Sequence, residues 1–146
     1  QQRLAIAREI KDRLGEGAAL GNLGLAYDAL GDYTKAIEYQ QQRLAIAREI
    51  KDRLGEEQSL GNLGIAYDAL GDYTKAIEYQ QQSLAIAREI KDRLGEEQSL
   101  GNLGIAYDAL GDYTKAIEYQ QQKLAIAREI KDRHGEGQAL GNLGNA

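Results

Sequence analysis

Asn22, Asn62, Asn102 and Asn142 stand forty residues apart, and the first three each head the same series of side chains. Three positions on comes an aliphatic residue, Leu25, Ile65 or Ile105, and six positions on a carboxylate, Asp28, Asp68 or Asp108. An asparagine amide offers a donor and an acceptor together, which is what an extended peptide backbone with no partner of its own requires. The aliphatic neighbours would supply apolar pockets. The carboxylates would favour a neutral or basic segment over an acidic one. This is chemistry for recognising a chain.

Bond-making chemistry is poorly supplied. His134 is the only histidine and occupies the position held by Leu14, Leu54 and Leu94 in the other copies, a packing position. The phrase Gly-Asn-Leu-Gly lacks the Lys-Ser/Thr of a phosphate loop. Cysteine is absent, which excludes thiolate nucleophiles, thiolate metal sites and disulfides. Carboxylate pairs are expected on solvated helix faces, where no pocket shifts their pKa. The expectation is a protein that is not an enzyme and carries no cofactor and no metal.

The elements that must position these residues follow from the repeat. Gln1, Gln41, Gln81 and Gln121 open the same phrase, and the units beginning at Gln41 and Gln81 differ only by Arg43 against Ser83. A period of this size marks a solenoid, whose units bury their apolar faces by stacking on one another. From Glu16, the series Leu20, Leu23, Gly24, Tyr27 and Leu30 has the spacing of a first helix. Gly31 suits the left-handed residue that closes it, and Asp32 the N-cap of the next. A second helix is expected from about Tyr33 to Leu54, roughly 33 Å long, closed by Gly55. Its apolar stripe holds Tyr33, Ala36, Ile37, Leu44, Ala47 and Leu54, with Tyr39, Ile46 and Ile50 extending it sideways. Glu49 with Arg53, and Arg48 with Asp52, are expected to pair at i,i+4 spacing. Gln40, Gln80 and Gln120 fall inside the stripe, and each needs a partner across to the neighbouring helix or in a groove. Glycine within a helix costs about 1 kcal/mol relative to alanine, so Gly21 and Gly24 need reasons. Close helix approach answers for Gly24.

Two-residue connections would force antiparallel hairpins. The fold class is therefore all-α, a right-handed α-solenoid superhelix of antiparallel helix pairs. Residues 1–146 form one array of about three and a half units, beginning in a second helix and ending in a first. The net charge of −5 is evenly spread, which argues against nucleic acid and anionic membrane surfaces. No run of apolar residues approaches membrane-spanning length. A cytoplasmic location is the expectation.

The phrases Leu23-Gly24-x-x-Tyr27, Gly31-Asp32-Tyr33 and Ala36-Ile37-Glu38-Tyr39 resemble the tetratricopeptide repeat. The phrases Gly-Asn-Leu-Gly, Gly-Asp-Tyr-x-Lys-Ala-Ile-Glu-Tyr and Leu-Ala-Ile-Ala-Arg-Glu-Ile-Lys-Asp-Arg are especially close to the Pins-type G-protein-signalling modulators, and similar long repeats occur in bacterial multi-repeat proteins. The usual proline at the end of the repeat is missing, and a longer second helix would account for the forty-residue period. The resemblance implies a protein-interaction scaffold. It also implies that the face of Gly21, Asn22, Leu25 and Asp28 lines a concave groove for a protein or peptide ligand, with Gly21 leaving room for it. Asn22, Asn62, Asn102, Asn142, Leu25, Ile65, Ile105, Asp28, Asp68 and Asp108 are then the groove candidates. These ladders hold no Lys or Arg, unlike a carboxylate clamp, and Pins-type repeats often carry a second Asn where Leu25 stands; only Asn145 restores it.

Two further readings use the same residues. A consensus-like or designed array could self-associate end to end with no natural ligand, its last first-helix (Leu140, Leu143) docking on the N-terminal second helix of another copy. A sensor segment of a larger bacterial signalling protein is the third.

Overall fold

The computed structural model describes residues 2–145, with side chains for residues 9–144. The described residues form seven α-helices: α1 Gln2–Ala29, α2 Tyr33–Glu49, α3 Arg53–Ala69, α4 Tyr73–Glu89, α5 Arg93–Ala109, α6 Tyr113–Glu129 and α7 Arg133–Asn145. Each packs on the helix before and the helix after it, and α3 also touches α1 and α5. This is the antiparallel, stacked arrangement of an α-solenoid. None of the described helices is long and apolar enough to cross a membrane.

The second helix is shorter than its sequence suggests. It ends at Glu49, with Ile50 as the C-cap, and the chain restarts as α3 at Arg53. The cause lies in the connections, which are three residues long and built alike. At Leu30-Gly31-Asp32, the Gly31 N–H donates to the Asp28 carbonyl and the Asp32 N–H to that of Tyr27, at 3.0 and 2.9 Å. At Ile50-Lys51-Asp52, Lys51 donates to Arg48 and Asp52 to Ala47, at 3.4 and 2.8 Å. Both are Schellman closures, and each needs a left-handed residue. Gly31 supplies it at φ 80°, whereas Lys51 adopts φ 59° with a side chain attached. Each following aspartate then caps the next helix: Asp32 accepts from the Lys35 N–H at 3.2 Å, and Asp52 from that of Gly55 at 3.0 Å. Gly55 therefore sits inside the first turn of α3 and does not end α2. From α2 to α6 the unit is two halves, each a 17-residue helix and a three-residue joint, so the missing proline is not compensated there by one long helix. At the N-terminal side α1 instead runs as one 28-residue helix through the equivalent Ile10-Lys11-Asp12, with no break at Gly15.

Redrawing that boundary redraws the ion pairs. Glu49 does not pair with Arg53, nor Arg48 with Asp52. Arg53 Nε reaches Glu89 at 2.6 Å, at the far end of the helix packed against its own, and Arg13 holds Glu49 in the same way. Arg48 bridges to Glu56 at 3.2 Å, and Glu56 is shared with Arg53 at 2.7 Å. Apart from Arg53 with Glu56 inside α3, these pairs tie helix to helix, where the sequence spacing offered pairs within one.

Each internal first helix is buried between two second helices. Leu60, Leu63 and Ala66 of α3 meet Ile37 and Leu44 of α2 and Ile86 of α4. Leu100, Leu103 and Ala106 of α5 meet Ile77 and Leu84 of α4 and Ile126 of α6. Leu60, Leu63, Leu100 and Leu103 are 0% exposed, and burying each stabilises by about 2–3 kcal/mol. Leu30 and Leu54, counted into the stripes by spacing, are 79% and 48% exposed, because both sit at helix joints. Near the turn of each hairpin, Tyr27 stacks on Tyr39, Tyr67 on Tyr79 and Tyr107 on Tyr119, with centroids 5.5 Å apart.

Candidate functional site

The first helices α1, α3 and α5 lie side by side and enclose a groove of about 440 Å³. Asn22, Leu25, Asn62, Ile65 and Asn102 line it, so five of the ten candidate residues share one concavity. Side clefts open from it, one lined by Asp28 and the other by Asp68 and Ile105. Asn142 is half-buried on α7 and Asp108 is exposed on α5, and neither lines these cavities. The Asn145 side chain and the apolar positions of residues 1–8 lie outside the described side chains.

The floor of the groove comes from the second helices and was not legible in the first-helix ladders. Arg43 and Ser83 line it. Arg43 donates to Gln58 Oε1 at 2.8 Å, and burial pulls its pKa down. The glycines opposite explain how such a side chain fits. A Cβ on Gly21 would stand 2.8 Å from Arg43 Cδ, and one on Gly101 2.8 Å from Lys123 Nζ. The room at Gly21 is thus filled from within the chain. Lys123 itself donates to Gln138 Oε1 at 2.8 Å. Ser83 Oγ donates to the Glu57 carbonyl at 3.0 Å and receives Ser99 Oγ at 3.3 Å, which ties α3, α4 and α5 together. The groove is therefore less purely apolar and acidic than its ladders imply. The signal was present in the sequence: Arg43, Ser83 and Lys123 occupy the one position of the second helix where the copies disagree.

Gln40, Gln80 and Gln120 do reach across to the neighbouring helix. Their Nε2 atoms donate to the carbonyls of Gly21, Gly61 and Gly101 at 3.1, 2.9 and 3.2 Å. Gly24, Gly64 and Gly104 make the space, since a Cβ there would stand 2.6, 2.5 and 2.4 Å from the amide nitrogen.

The carboxylate pairs correct the sequence expectation. Glu57 and Glu97 are 5% and 2% exposed, each against the N-cap aspartate of the next first helix, Asp92 and Asp132. Burial foremost, then the hydrogen bond to Asp92 and its charge, push Glu57 up to about 8. Burial and Asp132 push Glu97 up to about 7. A neutral glutamic acid donating to a capping carboxylate is the arrangement that satisfies both. It recurs at neither end, where the same position holds Gly17 and Gly137. His134 lies on exposed α7 surface, its Nε2 3.0 Å from the Gln138 amide nitrogen.

The tetratricopeptide repeat family matches over residues 1–49, 31–89, 55–129 and 96–146. No curated protein sequence matches significantly. Among solved structures, the chain is similar to the tetratricopeptide domain of Arabidopsis FLU, with TM-score 0.77 and 24% identity over 80% of this chain and 98% of that one. It is similar to the Sgt2 tetratricopeptide domain of Aspergillus fumigatus, with TM-score 0.69 and 25% identity over 89% of this chain and 76% of that one. It is also similar to aspartyl phosphate phosphatase F of Bacillus subtilis, with TM-score 0.83 and 20% identity over 87% of this chain but 33% of the phosphatase.

Proposed function

The chain belongs to the tetratricopeptide repeat family of protein-interaction scaffolds, and from that premise we propose that it binds a peptide segment in the groove walled by α1, α3 and α5. The observation that carries this reading is the run Asn22, Asn62 and Asn102 along one continuous cavity, with Leu25 and Ile65 between them. The amides would satisfy an extended ligand backbone, and the aliphatic side chains would take its apolar side chains. Binding is non-catalytic in this reading and needs no cofactor.

The test separates binding from folding. A displayed random-peptide library is panned on the chain, and selected peptides are measured against Asn62→Ala and Asn102→Ala together. Lost capture with an unchanged melting temperature supports the groove. Undiminished capture, or capture lost only in step with stability, removes it.

A second reading, end-to-end association, draws on one contrast. Leu23 is 43% exposed and Leu140 47% exposed, whereas Leu63 and Leu100 at the same positions are 0% exposed. A mass that rises with concentration in light scattering supports self-association, and a constant monomer mass removes it.

A further inference from the structure

The two side clefts of the groove have the same composition, one repeat unit apart. The larger takes Gly64, Asp68, Ala76 and Gln80 from one unit and Asn102 and Ile105 from the next, and measures about 80 Å³. The smaller takes Asp28 and Gln40 from one unit and Asn62 and Ile65 from the next, and measures about 50 Å³. Each exceeds the roughly 10–15 Å³ that one ordered water requires.

Their polar atoms are unusual in kind. Gln80 is 1% exposed, and its Nε2 is committed to the Gly61 carbonyl. A carbonyl only accepts, so the orientation of that amide is fixed and its Oε1 is the free end. Oε1 is buried with no hydrogen-bond partner, and the same holds for Gln40, also 1% exposed. Asp68 Oδ1 is a third buried, unpartnered acceptor. Desolvation alone lifts the Asp68 carboxyl above its ordinary range, with no cation to oppose it. An unpaired buried acceptor costs about 1–3 kcal/mol, and the larger cleft holds two. Such a cleft calls for a compact group with several N–H donors and a positive charge. An ammonium meets that description, whereas the five-donor planar guanidinium is too broad for it.

We propose that the clefts at Gln80–Asp68 and Gln40–Asp28 are subsites for lysine ammonium groups, one per repeat unit, on the ligand that occupies the groove. This rests on the groove reading and adds the chemistry of its partner. The lysine stem would lie along Ile65 or Ile105, with the ammonium donating to the glutamine Oε1 and the aspartate. At the third unit Gln120 Oε1 is again unpartnered, but Asp108 is exposed.

The experiment is a titration of the ¹⁵N-labelled chain with Nα-acetyl-lysine methylamide, followed by NMR, with the norleucine analogue as the uncharged match. The lysine probe should give saturable shifts at Gly64, Asp68, Asn102 and Ile105 that norleucine does not. Asp68→Asn should weaken that binding at least tenfold. Glu78→Gln, which removes the same charge from the exposed face of α4, should leave it unchanged. No saturable shift, equal shifts from norleucine, or full affinity in Asp68→Asn would each overturn the subsites. Library peptides that need Asn62 and Asn102 but carry no lysine would also overturn them while leaving the groove intact.

Discussion

The Gln80 amide nitrogen donates to the Gly61 carbonyl at 2.9 Å, and the volume it occupies is the volume Gly64 leaves empty. The pair joins α3 to α4, and it recurs as Gln40 with Gly21 and Gln120 with Gly101. A buried polar side chain is thereby used as a gauge for the distance between two helices.

Gly64→Ala should therefore destabilise by about 1–3 kcal/mol, although alanine is the better helix former, because the added methyl displaces the amide and strands it. Gly15→Ala is the matched control. Gly15 lies within α1 with nothing inside 4 Å of a Cβ, so the same change should stabilise by about 1 kcal/mol. Urea unfolding of the two variants checks the opposite signs.

Lys91 holds a left-handed backbone at φ 60°, in the joint where Gly71 holds φ 81° half a unit earlier. A side chain in that region costs about 1–2 kcal/mol. Lys91→Gly should raise stability by about 1 kcal/mol net of the glycine's extra unfolded entropy, and Gly71→Ala should lower it by a similar amount. Thermal melts at one pH suffice.

Leu63 and Leu23 occupy the same position in successive units at 0% and 43% exposure. Leu63→Ala should cost about 2–5 kcal/mol, through lost burial and the cavity left behind. Leu23→Ala should cost under about 1 kcal/mol, since water already reaches it. Denaturation midpoints of the two variants compare them directly.

Glu57 ordinarily ionises near 4.5 and is raised to about 8 in the folded chain. Between those values the folded state holds a proton that the unfolded chain has released. This stabilisation is complete below pH 4.5 and is lost as pH rises through 8. Glu97, raised to about 7, acts in the same direction. The melting temperature should fall from pH 5 to pH 9. The double variant Glu57→Gln and Glu97→Gln, whose amides donate to Asp92 and Asp132 at every pH, should flatten that fall.

The sequence made the hairpins, the stacking and the asparagine-lined face legible because each rests on local spacing: apolar residues at three and four, an aspartate after a closing residue. The second joint was hidden because lysine stood at Lys51 where Gly31 stood in the first, and the left-handed conformation carries no mark in a lysine. The parallel between Leu30-Gly31-Asp32 and Ile50-Lys51-Asp52 was the available clue. The burial of Glu57 comes from Gly95 and Asp92, thirty-five and more residues along. Contacts between units of that kind have no local pattern. The same holds for Arg43, which belongs to the groove only because Gly21 leaves space for it.

The position filled by Gly17 at the first interface and by Glu57 and Glu97 at the next two makes the array mechanically uneven. Pulled along its axis, it would behave as springs in series, with the α1–α3 link lacking the buried proton that the next two share. The α3–α5 and α5–α7 links would be stiff in acid and would soften as their shared proton departs, so that rising pH shifts where the chain first gives way.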